Sequence, residues 1–235
     1  MPRAPSPPAA PRFEGFADGT VKFFRALAKH QDRAWFAAHK AEYDTGWADP
    51  MGTLLAEARA RLDGAYPHVE LAEPKVFRLH RDVRFAADKS PYKTSVSGVV
   101  TARRGGKVTE APAALYVQLG LESFVGAGLY AMDAPTLARY RAAVLDDSRG
   151  AELARIVRAL EKKGFQASAA EELKSAPRGI DPAHPRIDLL RKKGLVVSFP
   201  PIPAGAVTGR AFLDWVATEA KRAAPLVTWL VFETA

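Results

Sequence analysis

Ser95-Val-Ser-Gly-Val-Val-Thr-Ala102 and, a short interval later, Ala114-Leu-Tyr-Val-Gln-Leu-Gly-Leu121 are the stretches that decide the fold. Both carry the β-branched and aromatic residues that fit a pleated surface, so they read as strands. Between them Arg103-Arg104-Gly105-Gly106-Lys107 has the glycines of a hairpin tip, which makes the pair antiparallel. Extending the same reading to residues 75–131 predicts a β-meander of roughly four strands.

Helical signals flank the meander. Upstream, Asp18 can cap a helix through His30 with Val21, Phe24, Leu27 and Ala28 inward. Asp32 can cap a second that carries Trp35, Phe36, His39 and Tyr43, and Pro50 suits the first turn of a third with Leu54, Leu55, Ala58 and Leu62. Downstream, Asp133 and Pro135 open a helix through Leu145, and another spans Arg149 to Lys163 and stops at Gly164. Leu195-Val-Val-Ser-Phe199 is a short strand ended by Pro200, and Thr208 opens a C-terminal helical region with Phe212, Trp215 and Val216 inward, re-started or kinked at Pro225. Helices, sheet, helices in that order predict an α+β fold. Its mainly antiparallel sheet is flanked by N- and C-terminal helices and covered on one face, in a single domain over residues 13–235. The proline-rich residues 1–12 read as a short disordered, polyproline-like tail.

Composition bounds the function. The chain has 235 residues, 48% of them hydrophobic, enough for one large core. It has no cysteine, which excludes disulfides, thiol nucleophiles and sulfur-ligated zinc. The longest apolar runs, around Phe124–Met132 and Leu226–Phe232, fall well short of the ~20 residues a membrane helix needs, so no membrane partner is expected. The N-terminus lacks the apolar centre of a signal peptide, and a cytoplasmic location is the expectation. Formal net charge is +8, and residues 75–107 hold nine Lys/Arg against two Asp/Glu, so nearly all the excess is local.

Within that span, Arg78-Leu-His-Arg-Asp-Val-Arg-Phe-Ala-Ala-Asp-Lys-Ser-Pro-Tyr-Lys93 concentrates guanidinium groups, carboxylates and a tyrosine beside apolar anchors. Read as a strand from Val76, it places Arg78, His80, Asp82 and Arg84 on one face and Phe77, Leu79, Val83 and Phe85 on the other. Arg81 is the exception, a guanidinium on the apolar side. It needs either a carboxylate in an internal ion pair or a bend at Arg81–Asp82. Asp88 to Thr94 reads as a loop, because Pro91 lacks an amide donor, and it can present Lys89, Tyr92 and Lys93 together. Arginine donates in bidentate fashion to phosphate or carboxylate while lysine supplies a mobile point charge, a mixture suited to a polyoxyanion.

The pattern Arg78-x-x-Arg81-Asp82-x-Arg84-Phe85-x-x-Asp88-Lys89-x-x-Tyr92 resembles the signature of the domain of unknown function 2461 family. The resemblance extends to Trp35-Phe36, to Phe124-Val-Gly-Ala-Gly-Leu-Tyr130 ahead of Pro135, and to Pro177-Arg178-Gly179 with His184-Pro185, and covers about Phe13 to Phe232. Ala86 stands where similar proteins often carry serine, and Ala127 where another glycine is common. Members are bacterial and fungal proteins of about this length without an established activity, so the resemblance implies a site and not a reaction.

The leading reading is a basic pocket for a phosphate-bearing or other anionic small molecule, in the manner of a hydrolase or transferase. Arg78, Arg84, Lys89, Lys93 and Arg178 would hold the anion and Tyr92 would donate to it. Asp82, Asp88 and His80 are the candidate catalytic groups. Two alternatives stay open: a non-enzymatic nucleic-acid-binding module that uses the Lys75–Lys107 surface, and an ion-pair network with no ligand. The five histidines show no metal-ligand spacing, Gly126-Ala-Gly128 reads as close strand packing and not a phosphate loop, and the residues leave the cofactor unknown.

Overall fold

The computed structural model of the chain describes residues 11–84, 87–105 and 111–234. Most of the tail read for residues 1–12, together with Phe85, Ala86, Gly106 and Lys107, lies outside them. The architecture is α+β, as the order of signals predicts.

The N-terminal helices are α1 (Lys22–Lys29), α2 (Arg33–Tyr43) and α3 (Asp49–Leu62). Asp18 accepts from the Lys22 amide at 2.7 Å, so it does hold the start of α1, although the helix proper begins three residues later than a simple cap predicts. Asp32 caps α2 by accepting from the Trp35 amide at 2.8 Å. Between α2 and α3 the chain does not break but passes through a π-helical turn, Asp44–Ala48, that buries Trp47. Gly46 makes this possible, since a Cβ there would lie 2.9 Å from that of Ala17.

The sheet comprises β1 (Glu70–Leu71), β2 (Lys75–Val76), β3 (Ser95–Arg103), β4 (Ala113–Gly120), β5 (Phe124–Leu129), β6 (Gln166–Ser168) and β7 (Leu195–Ser198). The order is β1-β3-β4-β5-β7-β6 with β2 also on β3, and every pairing is antiparallel. The strand expected from Val76 to Phe85 is therefore corrected: regular pairing ends at Val76. Beyond it the chain runs as an irregular ribbon joined by the single His80–Tyr92 bridge, with Arg81 N–H donating to Pro91 O at 2.8 Å and Lys93 N–H to Leu79 O at 2.9 Å. The physical reason is that Pro91 has no N–H to give and the charged residues that follow prefer their own local turns. The face alternation nevertheless survives, with Leu79 buried and Arg78, His80, Asp82 and Arg84 exposed.

Helices α4 (Ala134–Leu145), α5 (Asp147–Glu161), α6 (Ile187–Arg191) and α7 (Arg210–Thr234) complete the fold. Helix α5 starts two residues ahead of its expected position, because Asp146 caps it through the amides of Ser148 and Arg149. Helices α3 and α7 pack on one face of the sheet, and α7 runs its full length with Pro225 inside it. The packing is close: a Cβ on Gly98 of β3 would lie 2.4 Å from Leu55 Cδ1 of α3. Arg210 fastens these elements, donating to Phe13 O at 2.8 Å and to Glu57 Oε2 at 2.9 Å, while Glu57 also accepts from the Phe13 amide.

Strand β5 depends on glycine. Gly128 has φ of 124°, and a Cβ there would fall 2.3 Å from Leu195 O, while one on Gly126 would fall 2.4 Å from Val197 O. Close packing of β5 on β7 is thus the role of the Gly126-Ala-Gly128 sequence. Gly128→Ala is expected to cost roughly 2–4 kcal/mol in urea unfolding, since it adds both strain and a backbone clash. Gly64→Ala, which meets nothing within 4 Å, is expected to stay within about 0.5 kcal/mol of the parent.

Candidate functional site

The ribbon from Arg78 to Lys93 and the N-terminal end of β3 enclose a cleft of about 330 Å³ beside the loop that joins α1 to α2. Arg81, Asp88, Ser90, Tyr92 and Lys93 line it, together with Gln31 and Gln118. A larger concavity of about 790 Å³ lies elsewhere, between α5 and α7, but it mixes Arg155 and Lys221 with Glu152 and Glu233 and contains none of the signature residues.

Arg81 resolves its position on the apolar side by pairing with Asp88, which also receives the Ser90 amide at 2.9 Å. The Ser90 hydroxyl and amide, with Arg81 beyond them, hold the Asp88 carboxyl down at about 2. Asp82 turns outward and grips Arg84 in a two-point pair, Nε to Oδ1 at 3.0 Å and Nη2 to Oδ2 at 2.7 Å. That pair lowers the Asp82 carboxyl below its usual range, with a further push from Arg78. Lys89 donates its ammonium to Val83 O at 2.9 Å and so closes the loop.

Tyr92 is 3% exposed, its ring 4.6 Å from Phe36 and 5.0 Å from His80, and its amide donates to Gln31 Oε1 at 3.0 Å. Lys93 is half-buried, and burial followed by the charge of Arg78 lowers its ammonium below the ordinary lysine value. Both Lys75 and Lys93 stand over the Phe77 ring, at 5.3 and 5.7 Å from its centroid. Of the cations in this region, Arg81, Arg84 and Arg103 meet Asp88, Asp82 and Glu70. Lys75, Arg78 and Lys93 meet no carboxylate among the described residues.

The structure thus gathers Arg81, Asp88, Tyr92 and Lys93 in one cleft, with Arg78 close enough to act on Lys93. His80 packs against the back of Tyr92, and the Asp82–Arg84 pair sits at the outer turn. Arg178 is not among the residues that line the cleft: it lies in an exposed turn after β6, the strand at the opposite edge of the sheet, with His184 nearby in sequence as a turn residue that accepts from the Arg186 amide at 3.1 Å. Sequence reasoning missed Gln31 and Gln118. For Gln31 no local signal exists, since its partner is 61 positions away. Gln118 was within reach, because strand alternation in β4 sets it opposite Val117 and Leu119.

The Asp88 carboxyl, held first by Ser90 and then by Arg81, carries a pH signature. Because the folded carboxyl lies below its ordinary 3.8, its stabilising effect is full above that value and is lost as pH falls through about 2. Amide exchange at Arg81 and Ser90 is expected to accelerate across that window, and Asp88→Asn should flatten the change.

The family model described as a conserved hypothetical protein (DUF2461) matches residues 19–229. Neither the curated proteins nor the solved structures contain a match to the chain. With the model running from the capping loop of α1 almost to the end of α7, the chain belongs to the DUF2461 family.

Proposed function

We propose that the chain binds a phosphate-bearing small molecule in the cleft between the Arg78–Lys93 ribbon and the start of β3. The observation that carries this reading is that Lys75 and Lys93 stand over one ring, with Arg78 near enough to act on Lys93 at the cleft, and that none of the three meets a carboxylate among the described residues. Lys93 is already partly stripped of water, so an anion beside it would restore the solvation that burial removed. Arg81 presents its guanidinium at the cleft wall, held by Asp88. Ser90 and Gln118 add neutral polar groups that can complete the shell of a phosphate.

The carboxylates favour binding over turnover. Asp82 and Asp88, both depressed by their partners, are poor proton acceptors at neutral pH and serve to aim Arg84 and Arg81. A purely structural role for the signature fits less well, since the Asp82 and Arg84 side chains are 47% and 76% exposed, and exposed pairs contribute little to stability.

Tripolyphosphate is expected to raise the melting temperature of the full chain, with the effect shrinking at high salt. Lys93→Met, which keeps the apolar stem over Phe77, and Arg78→Ala are each expected to weaken its binding by roughly tenfold or more, as for a lost charge-assisted contact. Unchanged binding in both variants would overturn the assignment.

A further inference from the structure

The two rows of side chains on the sheet face away from α3 and α7 follow from register. Lys75 lies opposite Val99, Val99 opposite Tyr116, Tyr116 opposite Gly126, Gly126 opposite Ser198 and Ser198 opposite Gln166. The next row begins with Phe77, whose amide donates to Ser97 O, and continues through Ser97, Gln118 and Phe124. Helices α3 and α7 cover the other face, where Gly98 meets Leu55, and among the described residues no helix packs on this one.

Three aromatic rings cross the uncovered face in a line. Phe77 and Tyr116 have centroids 6.3 Å apart, and Tyr116 and Phe124 6.0 Å apart. All three are partly exposed, and Phe124 lies over Gly126, whose missing Cβ leaves room for it. Lys75 and Lys93 flank the line at its Phe77 end. Neither row contains a carboxylate, and Gln118, Ser198 and Gln166 supply neutral donors and acceptors along it.

From this geometry we infer that the uncovered face binds single-stranded nucleic acid, its bases laid on Phe77, Tyr116 and Phe124 and its phosphates drawn to Lys75, Arg78 and Lys93. The inference rests on the anion reading of the cleft and adds to it the class of ligand. Aromatic rings in an open row with basic residues beside them suit a polyanion that carries π-faces, because stacking is tolerant of base identity while the cations follow the backbone. A duplex keeps its bases stacked on one another and offers the rings nothing. A free phosphate uses the cations alone.

The test is fluorescence anisotropy on the full chain, with a short labelled oligouridylate, the matching oligothymidylate, an abasic chain of equal length, a duplex and tripolyphosphate as probes. The base-bearing single strands are expected to bind more tightly than the abasic chain and the duplex. Tyr116→Leu with Phe124→Leu keeps apolar bulk but removes two rings. It is expected to weaken oligonucleotide binding about five- to a hundredfold while leaving tripolyphosphate binding in place. Tyr116→Phe, which keeps the ring, should bind as the parent does. Equal binding of abasic and base-bearing strands by the unaltered chain overturns the inference even if the double variant fails to fold, and so does equal binding of the duplex. If tripolyphosphate still binds in that case, the anion reading stands alone, and if it does not, both fall.

Discussion

The structure depends on the packing of α7, with α3 beside it, against a single face of an antiparallel sheet. Helix α7 buries Phe212, Leu213, Val216, Ala220, Leu226, Val227 and Leu230 and reaches β3, β4 and β5 as well as α3, α4 and α5. Burying apolar side chains of this size is worth about 1.5–3 kcal/mol each before the entropy of ordering them is subtracted, so this contact has large weight in the fold. Everything else is arranged around it. The Arg210–Glu57–Phe13 clasp brings the start of the chain onto the helix, and the glycines of β5 let the strands beneath close up.

One-sided burial also determines what the rest of the chain is free to do. With the apolar set of β3, β4 and β5 spent on α7 and α3, the alternate set has no structural debt to settle. Period-two geometry places Tyr116, Gln118 and Phe124 there without further instruction. The same logic runs through the ribbon, where Leu79 is drawn to the core and Arg78, His80, Asp82 and Arg84 are turned out. Electrostatics then sorts the charges. Arg81 meets Asp88 and Arg84 meets Asp82 locally, while Lys75, Arg78 and Lys93 are among the cations here that meet no carboxylate among the described residues.

Much of this was legible before the structure. Turn residues and alternation placed strands β3 and β4 to within a residue, and the capping carboxylates expected at Asp32 and Asp133 mark real helix starts, whereas the Asp146 cap that starts α5 was missed. Arg81, the exception in the alternation that called for a carboxylate or a bend, lies beside Asp88. What could not be read was set by long-range contacts. The irregular course after Val76 depends on where Pro91 comes to lie across the ribbon, and the entry of Gln31 into the cleft depends on the docking of the N-terminal helices. The π turn at Asp44–Ala48 answers to the fit of Gly46 on Ala17. Arg178 was grouped with the signature by resemblance, yet it lies far downstream of Lys93 in the chain and follows β6, the strand at the other edge of the sheet.

The short edge strands carry a different consequence. Strands β1 and β2 have two residues each and β6 has three. A sheet with one uncovered aromatic face is an invitation to amyloid-like growth, because a second copy could extend the ladder at an edge and then stack its own bare face on the first. Edges this brief offer too few free amides to template such growth. They limit how far a second copy could extend the ladder at either edge, whatever becomes of the uncovered face.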